Sequence, residues 1–420
     1  MSVWARKPTN GRPKSFQEAT KRLRLAMVYD YAFRCDDGAL WTERAYGHYI
    51  EALAPDLEHI LAVAPLAPTS RPSLDYRLQA ANIQLAPLPF FARWIRSIPA
   101  VLRLPVVLIC RRADWDVIYL RLPCPLALSA YPVARLLRRP ILLHVVGDLT
   151  AQMGDYSALI GPLARLAGRA FETFTSLMAR RALTIAQGEA LAQRYSSGRR
   201  PVVNLMESTI GHDDIWVRES IALHDPIRLL YVGALLEKKG VHLLVEAVAH
   251  LSAEMNVVLA LVGDGPMREA LRALAIRLGI VERVQFVGSV GFDLDLQKQY
   301  RAADVFVMPS SAEGVPRVLL ESMAHNLPVV ATAVGGVPGL IRSGWNGVLV
   351  EAGSVPALCA GVRSVVDDES LRRQLITNAR QTARCHTRQT HAAELMRLLG
   401  EYLEEHRSDN RSSLLRRPQA

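Results

Sequence analysis

The segment Pro309-Ser-Ser-Ala-Glu-Gly-Val-Pro-Arg-Val-Leu-Leu-Glu321 links a predicted strand, 304–308, to a predicted helix, 318–325. Proline is favoured in the first turn of a helix, so Pro316 marks the helix start. Glu313 therefore falls on the loop and Glu321 on the helix. Gly314 lets a ligand approach the backbone closely, and the N–H groups at a helix start attract anions. The segment predicts a strand–loop–helix unit of an α/β fold, with carboxylates on both sides of an anion-binding backbone.

The same alternation of short apolar runs and amphipathic helical stretches continues in both directions and indicates α/β domains with parallel sheets. In the second half the predicted strands are 227–232, 257–262, 284–287, 305–308 and 329–331, and the predicted helices are 241–251, 267–278 and 318–325. In the first half the predicted strands are 24–29, 59–64, 116–120, 141–146 and 183–186, and the predicted helices are 40–54, 91–104, 159–181 and 189–194.

This pattern predicts two Rossmann-like, doubly wound domains that face a cleft, with ligands at the carboxyl ends of the strands. The predicted segments are a disordered basic N-terminus (1–22), a first Rossmann-like domain for the acceptor (23–207), a polar linker (208–226), a second Rossmann-like domain (227–370), C-terminal helices that pack back towards the first domain (371–405) and a disordered tail (406–420).

Composition narrows the class of protein. Of the 420 residues, 50% are hydrophobic and 21% are charged, as expected of a folded globular chain. The net charge of +10 favours anionic partners, but no basic–aromatic RNA motif, helix-turn-helix or zinc-finger pattern is present, and we predict no nucleic-acid partner. The five cysteines are scattered and odd in number, which indicates reduced thiols in a cytoplasmic protein. Met1 to Phe16 lacks the apolar core of a secretory signal.

The order carboxylate, anion-binding backbone, carboxylate suits a ligand with hydroxyl groups at both ends and a diphosphate between them, as in a nucleotide sugar. The segment resembles the E-x7-E signature of the family-4 retaining glycosyltransferases, which have the GT-B fold. Further segments match that family in order and spacing: Tyr231-Val-Gly-Ala-Leu-Leu-Glu-Lys-Lys-Gly240, Val262-Gly-Asp-Gly-Pro266, Phe286-Val-Gly288, Ala324-His-Asn-Leu-Pro-Val-Val-Ala-Thr-Ala-Val-Gly-Gly-Val-Pro338 and Ser343-Gly-Trp-Asn-Gly-Val-Leu-Val350.

The resemblance implies a role for each matching residue. Glu313 matches the first glutamate, which contacts the donor sugar and supports its reacting face. Glu321 matches the second, which binds the ribose hydroxyls, and we expect neither glutamate in the core. Gly314 and Val315 match the positions whose backbone N–H groups meet the sugar and the phosphate. Lys239 matches the lysine that neutralises the diphosphate leaving group.

Other donor contacts follow less directly from the resemblance. The family usually has arginine five residues before the lysine, where this chain has Ala234. Arg317, at the helix start, either reaches the diphosphate instead or is a solvated surface arginine. Gly233 lies in the matching turn and is a predicted donor-binding residue. Gly38 resembles the glycine turn near the donor phosphate, but an ordinary strand–helix connection explains it equally well.

The predicted strand 141–146 carries two further candidates in His144-Val-Val-Gly-Asp148. Asp148 resembles the acidic residue beside the transferred sugar and is a predicted catalytic residue, because it should emerge at the carboxyl end of the strand. His144 is interpreted as a core histidine. Asn204 stands where the family often has an asparagine–glycine turn, and it marks the end of the domain.

The resemblance implies a hexosyltransferase-type enzyme that retains the anomeric configuration, with the leaving phosphate assisting the incoming hydroxyl. We expect no cofactor and no metal. Asp-x-Asp occurs as Asp114-Trp-Asp116 and Asp293-Leu-Asp295, but neither lies at the carboxyl end of a strand, and both are interpreted as solvated carboxylates. Two alternatives remain: a nucleotide-sugar-binding protein with impaired turnover, which Ala234 favours, and a GT-B phosphorylase or epimerase.

The expected partners are a nucleotide-sugar donor and a glycan or lipid-linked acceptor of polysaccharide or glycoconjugate biosynthesis. The segment 89–112 mixes aromatic residues with arginines. It is either a peripheral contact to the anionic inner face of a membrane or a core helix with a solvated basic edge. No run reaches the roughly 20 apolar residues of a membrane span.

Overall fold

The computed structural model describes residues 22–68, 71, 73–92, 94–147, 157–196, 201–218, 220–291 and 294–415. The chain divides into two compact units. Unit 1 comprises Met1–Gln187, Leu191–Leu205 and Ala392–Ala420, and unit 2 comprises Gly188–Ala190 and Met206–His391. None of the described helices has both the length and the apolarity that crossing a bilayer requires.

Unit 1 is built on a parallel sheet. Its strands are β1 (Arg24–Val28), β2 (Phe33–Asp36), β3 (Ala39–Thr42), β4 (His59–Pro65), β5 (Tyr76–Arg77), β6 (Ile83–Leu88), β7 (Val117–Leu122), β8 (Ile141–Val145), β9 (Leu183–Ala186) and β10 (Val203–Asn204). Seven of them form the sheet in the order β10-β9-β8-β7-β1-β4-β6, and each neighbouring pair is parallel. The other three form a small antiparallel sheet, β2-β3-β5.

Helices cover both faces of the large sheet. Those of unit 1 are α1 (Arg44–Leu53), α2 (Ile98–Cys110), α3 (Ala127–Leu136), α4 (Ser157–Ala179) and α5 (Glu189–Tyr195), with 3₁₀ turns at Ala54–Asp56 and Trp94–Arg96. One apolar core lies between the sheet and α2, α3 and α4. The other lies between the sheet, α1 and the last helix of the chain, through Leu395 and Leu399.

Unit 2 contains a second parallel sheet. Its strands are β11 (Ile227–Val232), β12 (Val257–Val262), β13 (Val284–Gly288), β14 (Val305–Met308), β15 (Val329–Thr332) and β16 (Val348–Val350). Their order is β13-β12-β11-β14-β15-β16, with all neighbours parallel. The chain first builds outwards from β11 and then returns to build outwards from β14. The boundary between β11 and β14 is therefore the topological switch point, where doubly wound sheets bind ligands.

The helices of unit 2 pack on both faces of this sheet and form two apolar cores. They are α6 (Val241–Leu251), α7 (Arg268–Arg277), α8 (Leu294–Ala302), α9 (Arg317–Ala324), α10 (Val337–Leu340), α11 (Val355–Asp367) and α12 (Glu369–Cys385), followed by α13 (Arg388–Leu415), which runs into unit 1. The 3₁₀ turns are His212–Asp214, Glu237–Lys239 and Val281–Arg283.

The predicted fold class, two doubly wound α/β domains with parallel sheets, is confirmed. Two local predictions in unit 1 are wrong. The loop predicted over 30–39 and the start of helix 40–54 form the β2–β3 hairpin instead. The helix predicted over 91–104 runs over Ile98–Cys110, because Pro99 fits its first turn and not its interior.

The predicted linker 208–226 is part of unit 2 and not a free connection. The N–H of Trp216 donates to the carbonyl oxygen of Ala324 at 3.0 Å, and the guanidinium of Arg218 contacts Asp304 at 3.1 Å. The end of the second domain, predicted at residue 370, lies at His391 instead. α12 packs on α9 inside unit 2, and the chain joins unit 1 from Ala392 onward. Polar composition suggested a linker, but these polar groups have specific partners.

Candidate active site

A cavity of about 220 Å³ opens at the switch point of unit 2, just beyond the carboxyl ends of β11 and β14. Its walls come from the segments that follow these two strands and from the start of α9. The lining residues are Tyr231, Val232, Gly233, Lys239, Met308, Ser310, Glu313, Val315, Pro316, Arg317 and Val318. Five of the predicted donor-binding residues, Gly233, Lys239, Glu313, Val315 and Arg317, thus share one cavity. This is the position in which a doubly wound sheet holds a ligand.

Two glycines with left-handed backbone shape the cavity walls. Gly240 has φ +62, and a Cβ there would lie 2.2 Å from the carbonyl oxygen of Pro309. Gly335 has φ +52, and a Cβ there would lie 1.8 Å from the carbonyl oxygen of Glu313. Because no side chain fits at either position, the loop after β14 packs directly against the backbone of two neighbouring loops. The position of Glu313 is fixed in this way.

Glu313 is the charged centre of the cavity. Its Oε1 accepts hydrogen bonds from the Lys239 ammonium at 2.6 Å and from the Ser310 hydroxyl at 2.6 Å. The Glu313 side chain is 9% exposed and that of Lys239 is 24% exposed, so the pair is largely shielded from water. Lys239 ends the 3₁₀ turn Glu237–Lys239 that follows β11, and Gly240 caps this turn. The structure therefore brings the two predicted residues into one ion pair.

Tyr231 and Thr332 support this arrangement, and the sequence analysis missed both. The Tyr231 hydroxyl donates to the carbonyl oxygen of Ala234 at 3.0 Å, and burial, with a smaller effect of the Glu313 carboxylate, raises the Tyr231 pKa. The hydroxyl of the fully buried Thr332 donates to the carbonyl oxygen of Ser310 at 2.5 Å. The contact of Thr332 could be found only in the tertiary fold, since Thr332 and Ser310 are 22 positions apart in sequence.

Glu321 contradicts the expectation that it lies outside the core, because it is only 5% exposed. Its two oxygens accept hydrogen bonds from the hydroxyls of Thr209, at 2.7 Å, and Tyr300, at 2.8 Å. Burial raises the Glu321 pKa, while these two hydrogen bonds and the charge of Arg317 act in the opposite direction. The helix position was predicted correctly, but the partners lie on the segment before β11 and on α8.

His325 completes the surroundings of Glu321. Its Nδ1 lies 2.8 Å from the carbonyl oxygen of Glu321, and its ring stacks on Tyr300 with ring centroids 5.1 Å apart. Burial lowers the pKa of His325. The side chain of Glu321 is thus held by two hydroxyls, and its backbone carbonyl is held by the His325 ring.

The remaining predicted residues of unit 2 lie beside the cavity. The carbonyl oxygen of Gly314 accepts a hydrogen bond from the N–H of Gly336 at 2.8 Å. Pro316 precedes α9 with extended backbone, at φ −70 and ψ 121, and is the N-cap and not a residue of the first turn; the helix begins at Arg317, one residue before the predicted range 318–325. Arg317 lines the cavity, which favours the interpretation in which it reaches a ligand over that of a solvated surface arginine.

The candidates of unit 1 have mixed outcomes. Asp148 lies outside the described residues. Gly38, with φ +77, is at the tip of the β2–β3 hairpin, whereas a strand–helix turn was predicted. His144 is fully buried with Nδ1 2.5 Å from the Tyr119 hydroxyl, which places it in the core. Asn204 is the last residue of β10 and pairs in register with Ala186.

The first Asp-x-Asp motif is not a pair of solvated carboxylates. Asp116 pairs with Arg24 at 2.8 Å and with Arg139 at 3.4 Å, which ties β1 to β7 at their amino ends, and Asp114 pairs with Arg111. In the second motif, Asp293 lies outside the described residues and Asp295 pairs with Lys298 at 2.7 Å. Within the part of the chain that the structure describes, no three His, Cys, Asp or Glu side chains form a metal-binding group.

Comparisons with known proteins agree with this geometry. Residues 214–382 match the family model of the glycosyl transferases group 1. The lipopolysaccharide core biosynthesis glycosyltransferase LpsE of Rhizobium meliloti is 39% identical over 154 residues, which are 37% of this chain and 44% of LpsE. The GDP-mannose-dependent alpha-(1-6)-phosphatidylinositol monomannoside mannosyltransferase of Mycolicibacterium smegmatis is 29% identical over 59% of this chain and 74% of its own length. The chain spans less than half the length of LpsE and of several other curated relatives that it matches.

Solved structures resemble the chain over almost its whole length. Sucrose-phosphate synthase from Thermosynechococcus elongatus has a TM-score of 0.69 at 18% identity and covers 91% of this chain and 100% of its own. The Anabaena protein HepE, solved with UDP-glucose, has a TM-score of 0.66 at 20% identity and covers 90% of this chain and 100% of its own. At these identities the likeness shows the fold. The chain therefore has the GT-B fold and, over residues 214–382, a domain of the group 1 glycosyl transferases.

Proposed function

We propose that the chain is a retaining glycosyltransferase that transfers a sugar from a nucleotide diphosphate sugar to a glycan or lipid-linked acceptor. The observation that carries the proposal is the Lys239–Glu313 pair in the switch-point cavity of unit 2. A cation and a carboxylate side by side match the two opposite charges that separate when a sugar–phosphate bond breaks. The match of residues 214–382 to the group 1 family supports the same activity.

The chemistry assigns a role to each charged group. When the bond between the anomeric carbon and the phosphate oxygen breaks, positive charge develops on the carbon and negative charge on the phosphate. Lys239, with Arg317 at the start of α9, stabilises the departing diphosphate. Glu313 supports the face of the sugar that becomes positive. The departing phosphate oxygen takes the proton of the acceptor hydroxyl as the new bond forms on the same face, so the configuration is retained.

Metal-independent turnover without a cofactor is part of the proposal. Its support is that two fixed cationic side chains already line the cavity where the diphosphate charge must be neutralised. Ala234 stands where the family usually has a further arginine, and it is exposed beside the cavity. Turnover with this replacement distinguishes the proposed enzyme from a nucleotide-sugar-binding protein.

For the identity of the donor and the acceptor, the relatives provide only the information that their names state. LpsE is a transferase of lipopolysaccharide core biosynthesis, the mycobacterial relative uses GDP-mannose, and HepE was solved with UDP-glucose. These names support a role in polysaccharide or glycoconjugate biosynthesis and donors of more than one base. We propose a cytoplasmic enzyme, peripheral to the inner face of a membrane, where lipid-linked acceptors are reached.

The test is a panel of UDP-, GDP- and ADP-sugars incubated with the purified full chain, with release of nucleoside diphosphate and of sugar product followed together. The proposal expects release with at least one donor, no requirement for added metal, and an anomeric configuration equal to that of the donor. Binding without release would support the impaired binding protein. Sugar phosphate formed only with inorganic phosphate would indicate a phosphorylase.

A further inference from the structure

A layer of three helices covers one face of the unit 1 sheet. α2 contributes Ala100, Leu104 and Leu108 to the core beneath, and α3 and α4 pack into the same core. α2 and α3 pack against each other, and Tyr131 of α3 meets Phe174 of α4 with ring centroids 5.8 Å apart. We call the outer side of α2, α3 and α4 the outer layer face. Among the described side chains of these helices, those on this side do not take part in the core beneath.

The outer layer face carries an apolar stripe on α2. Ile98 is 62% exposed, Leu102 is 71% exposed and Val106 is 60% exposed, and Ile109 follows one turn later. Their spacing of four, four and three residues places them along one side of the helix. The sequence offered two interpretations of this segment, and the helix combines them. One side is core, and the other presents large apolar side chains to solvent.

The exposed apolar side chains continue on the neighbouring helices, as Leu128 and Leu136 of α3 and Leu166 and Leu177 of α4. Among the described residues of unit 1, every exposed large apolar side chain lies in these three helices or at Trp94, in the turn before α2. Single exposed apolar residues are common on protein surfaces, whereas their concentration on one face indicates an interaction surface.

The helices of this face are predominantly basic: α2 and α3 hold Arg103 and Arg135 and no acidic residue, and the one acidic residue of α4, Glu172, lies 3.6 Å from Arg194. Residues 94–147, which contain α2 and α3, hold eight arginines and two aspartates, with no lysine or glutamate. Both aspartates are engaged in ion pairs, Asp114 with Arg111 and Asp116 with Arg24 and Arg139. Arg103 and Arg135 are exposed beside the apolar side chains. A partner of this face must therefore accept apolar groups and carry negative charge.

We propose that the outer layer face docks unit 1 on an anionic lipid bilayer, with the leucine, isoleucine and valine side chains in the headgroup–acyl boundary and the arginines on lipid phosphates. Helices that lie in a membrane interface have this combination of an apolar side and a basic flank. Apolar side chains spread over three predominantly basic helices fit a continuous surface of anionic lipid better than one self-complementary contact. The inference depends only on unit 1 and is independent of the donor chemistry in unit 2.

The experiment is co-sedimentation of the full chain with vesicles of phosphatidylcholine alone and of phosphatidylcholine with phosphatidylglycerol. The parent protein should bind to the anionic vesicles. This binding should weaken in 1 M salt, where the Debye length falls to about 3 Å. Leu102→Gln with Val106→Gln should reduce partitioning at least about tenfold. Arg103→Gln with Arg135→Gln should reduce it roughly thirtyfold at low salt, at about fivefold for each arginine.

The matched control is Ile276→Gln on α7 of unit 2, where the isoleucine is 59% exposed, close to the exposure of Val106. This variant should partition like the parent. Melting temperatures of all variants show whether each one folds, and the arginine variant still tests the docking if the apolar one does not fold.

Three results would overturn the proposal. The first is equal partitioning of the parent onto neutral and anionic vesicles, or none onto either. The second is parent-like partitioning of the folded Leu102→Gln/Val106→Gln variant. The third is self-association of the parent without lipid, measured by light scattering, that this variant abolishes, because a second copy of the chain would then cover the face.

Discussion

Two carboxylates lie at opposite ends of the same strand pair in unit 2. Asp304, at the amino end of β14, is completely buried and accepts hydrogen bonds from Arg218 at 3.1 Å, from Nδ1 of His224 at 2.8 Å and from the N–H of Arg228 at 2.8 Å. Glu313, beyond the carboxyl end of β14, has one lysine and one serine on a single oxygen and lines a cavity. Hydrogen-bond donors surround the carboxylate of Asp304, whereas the carboxylate of Glu313 faces a cavity that can hold a ligand.

The difference separates a structural role from a functional one. A buried carboxylate surrounded by donors holds elements together, and removing its charge leaves those donors unsatisfied. A carboxylate paired with one cation at a cavity can exchange that partner for a ligand. Glu321 is a third case, since hydroxyls and no lysine or arginine contact its oxygens. Burial raises the pKa of its carboxyl group, while the hydroxyls of Thr209 and Tyr300 that donate to it act in the opposite direction.

The largest expected effect is on turnover, from Lys239→Met. Methionine keeps most of the length of the side chain and removes the charge that we propose stabilises the leaving diphosphate. Removing one preorganised group of this kind costs about 10²–10³ in kcat. Steady-state kinetics with the donor found in the panel measures it. The control is Lys298→Met on the exposed side of α8, which should keep parent turnover. Parent-like kcat in Lys239→Met would remove the lysine from the mechanism.

At the amino end of the same strand pair, we expect a substitution of Asp304 to lower the stability of the protein. Asp304→Asn removes the charge that pairs with Arg218 and replaces one of the two acceptor oxygens by an NH₂ group, which leaves some of the buried donors without an acceptor. We expect a loss of about 3 kcal/mol in the free energy of unfolding, as for other broken buried pairs. Chemical denaturation measures it. Below the unfolding transition the variant should bind nucleoside diphosphate like the parent. Unchanged stability would refute the structural role of Asp304.

Glu321→Gln should mainly weaken binding of the donor. Losing a hydrogen bond to a charged acceptor costs about 1.5–3 kcal/mol, so the dissociation constant of the nucleoside diphosphate should rise roughly ten- to a hundredfold. Calorimetric titration of the parent and the variant measures this change. Equal affinity would exclude Glu321 from the ribose contact.

The same substitution has a stability signature that depends on pH. Burial raises the Glu321 pKa in the folded protein above its value of about 4.3 in an unfolded chain. The contribution of this group to stability is therefore full below pH of about 4.3 and is lost as the pH rises through the folded pKa. Glu321→Gln has no ionisable group at this position, so it does not lose this contribution to stability as the pH rises. Its melting temperature relative to that of the parent should increase with pH over this window, in the absence of ligand.

The sequence predicted the walls of the cavity but not its supports. The strands β11 and β14 are short, continuously apolar and buried, and the motif residues Lys239 and Glu313 follow them directly. The proximity of Lys239 and Glu313 could be expected, because the carboxyl ends of parallel strands lie at one edge of a sheet. Thr209 and Tyr300 were missed because polar residues separated by 112 and 21 positions from Glu321 leave no local pattern.

Unit 1 was harder to predict for a different reason. The two strands of the β2–β3 hairpin are only four residues long, and the Asp37-Gly38 turn between them was the local signal, since Asp-Gly favours hairpin turns. The exposed apolar stripe of α2 could not be predicted, because both sides of the helix are apolar. The periodicity of the sequence therefore did not separate the core side from the exposed side. Burial in the folded structure resolves this ambiguity.

The most direct test of the account is the turnover of Glu313→Gln beside its affinity for nucleoside diphosphate. Glutamine keeps the shape of the side chain and removes the charge that we propose faces the reacting sugar, so kcat should fall roughly ten- to a hundredfold. The diphosphate affinity should stay the same or improve, because Lys239 no longer pairs with a carboxylate. Full turnover in the variant, or weakened diphosphate binding with unchanged kcat, would contradict the placement of Glu313 at the reacting sugar.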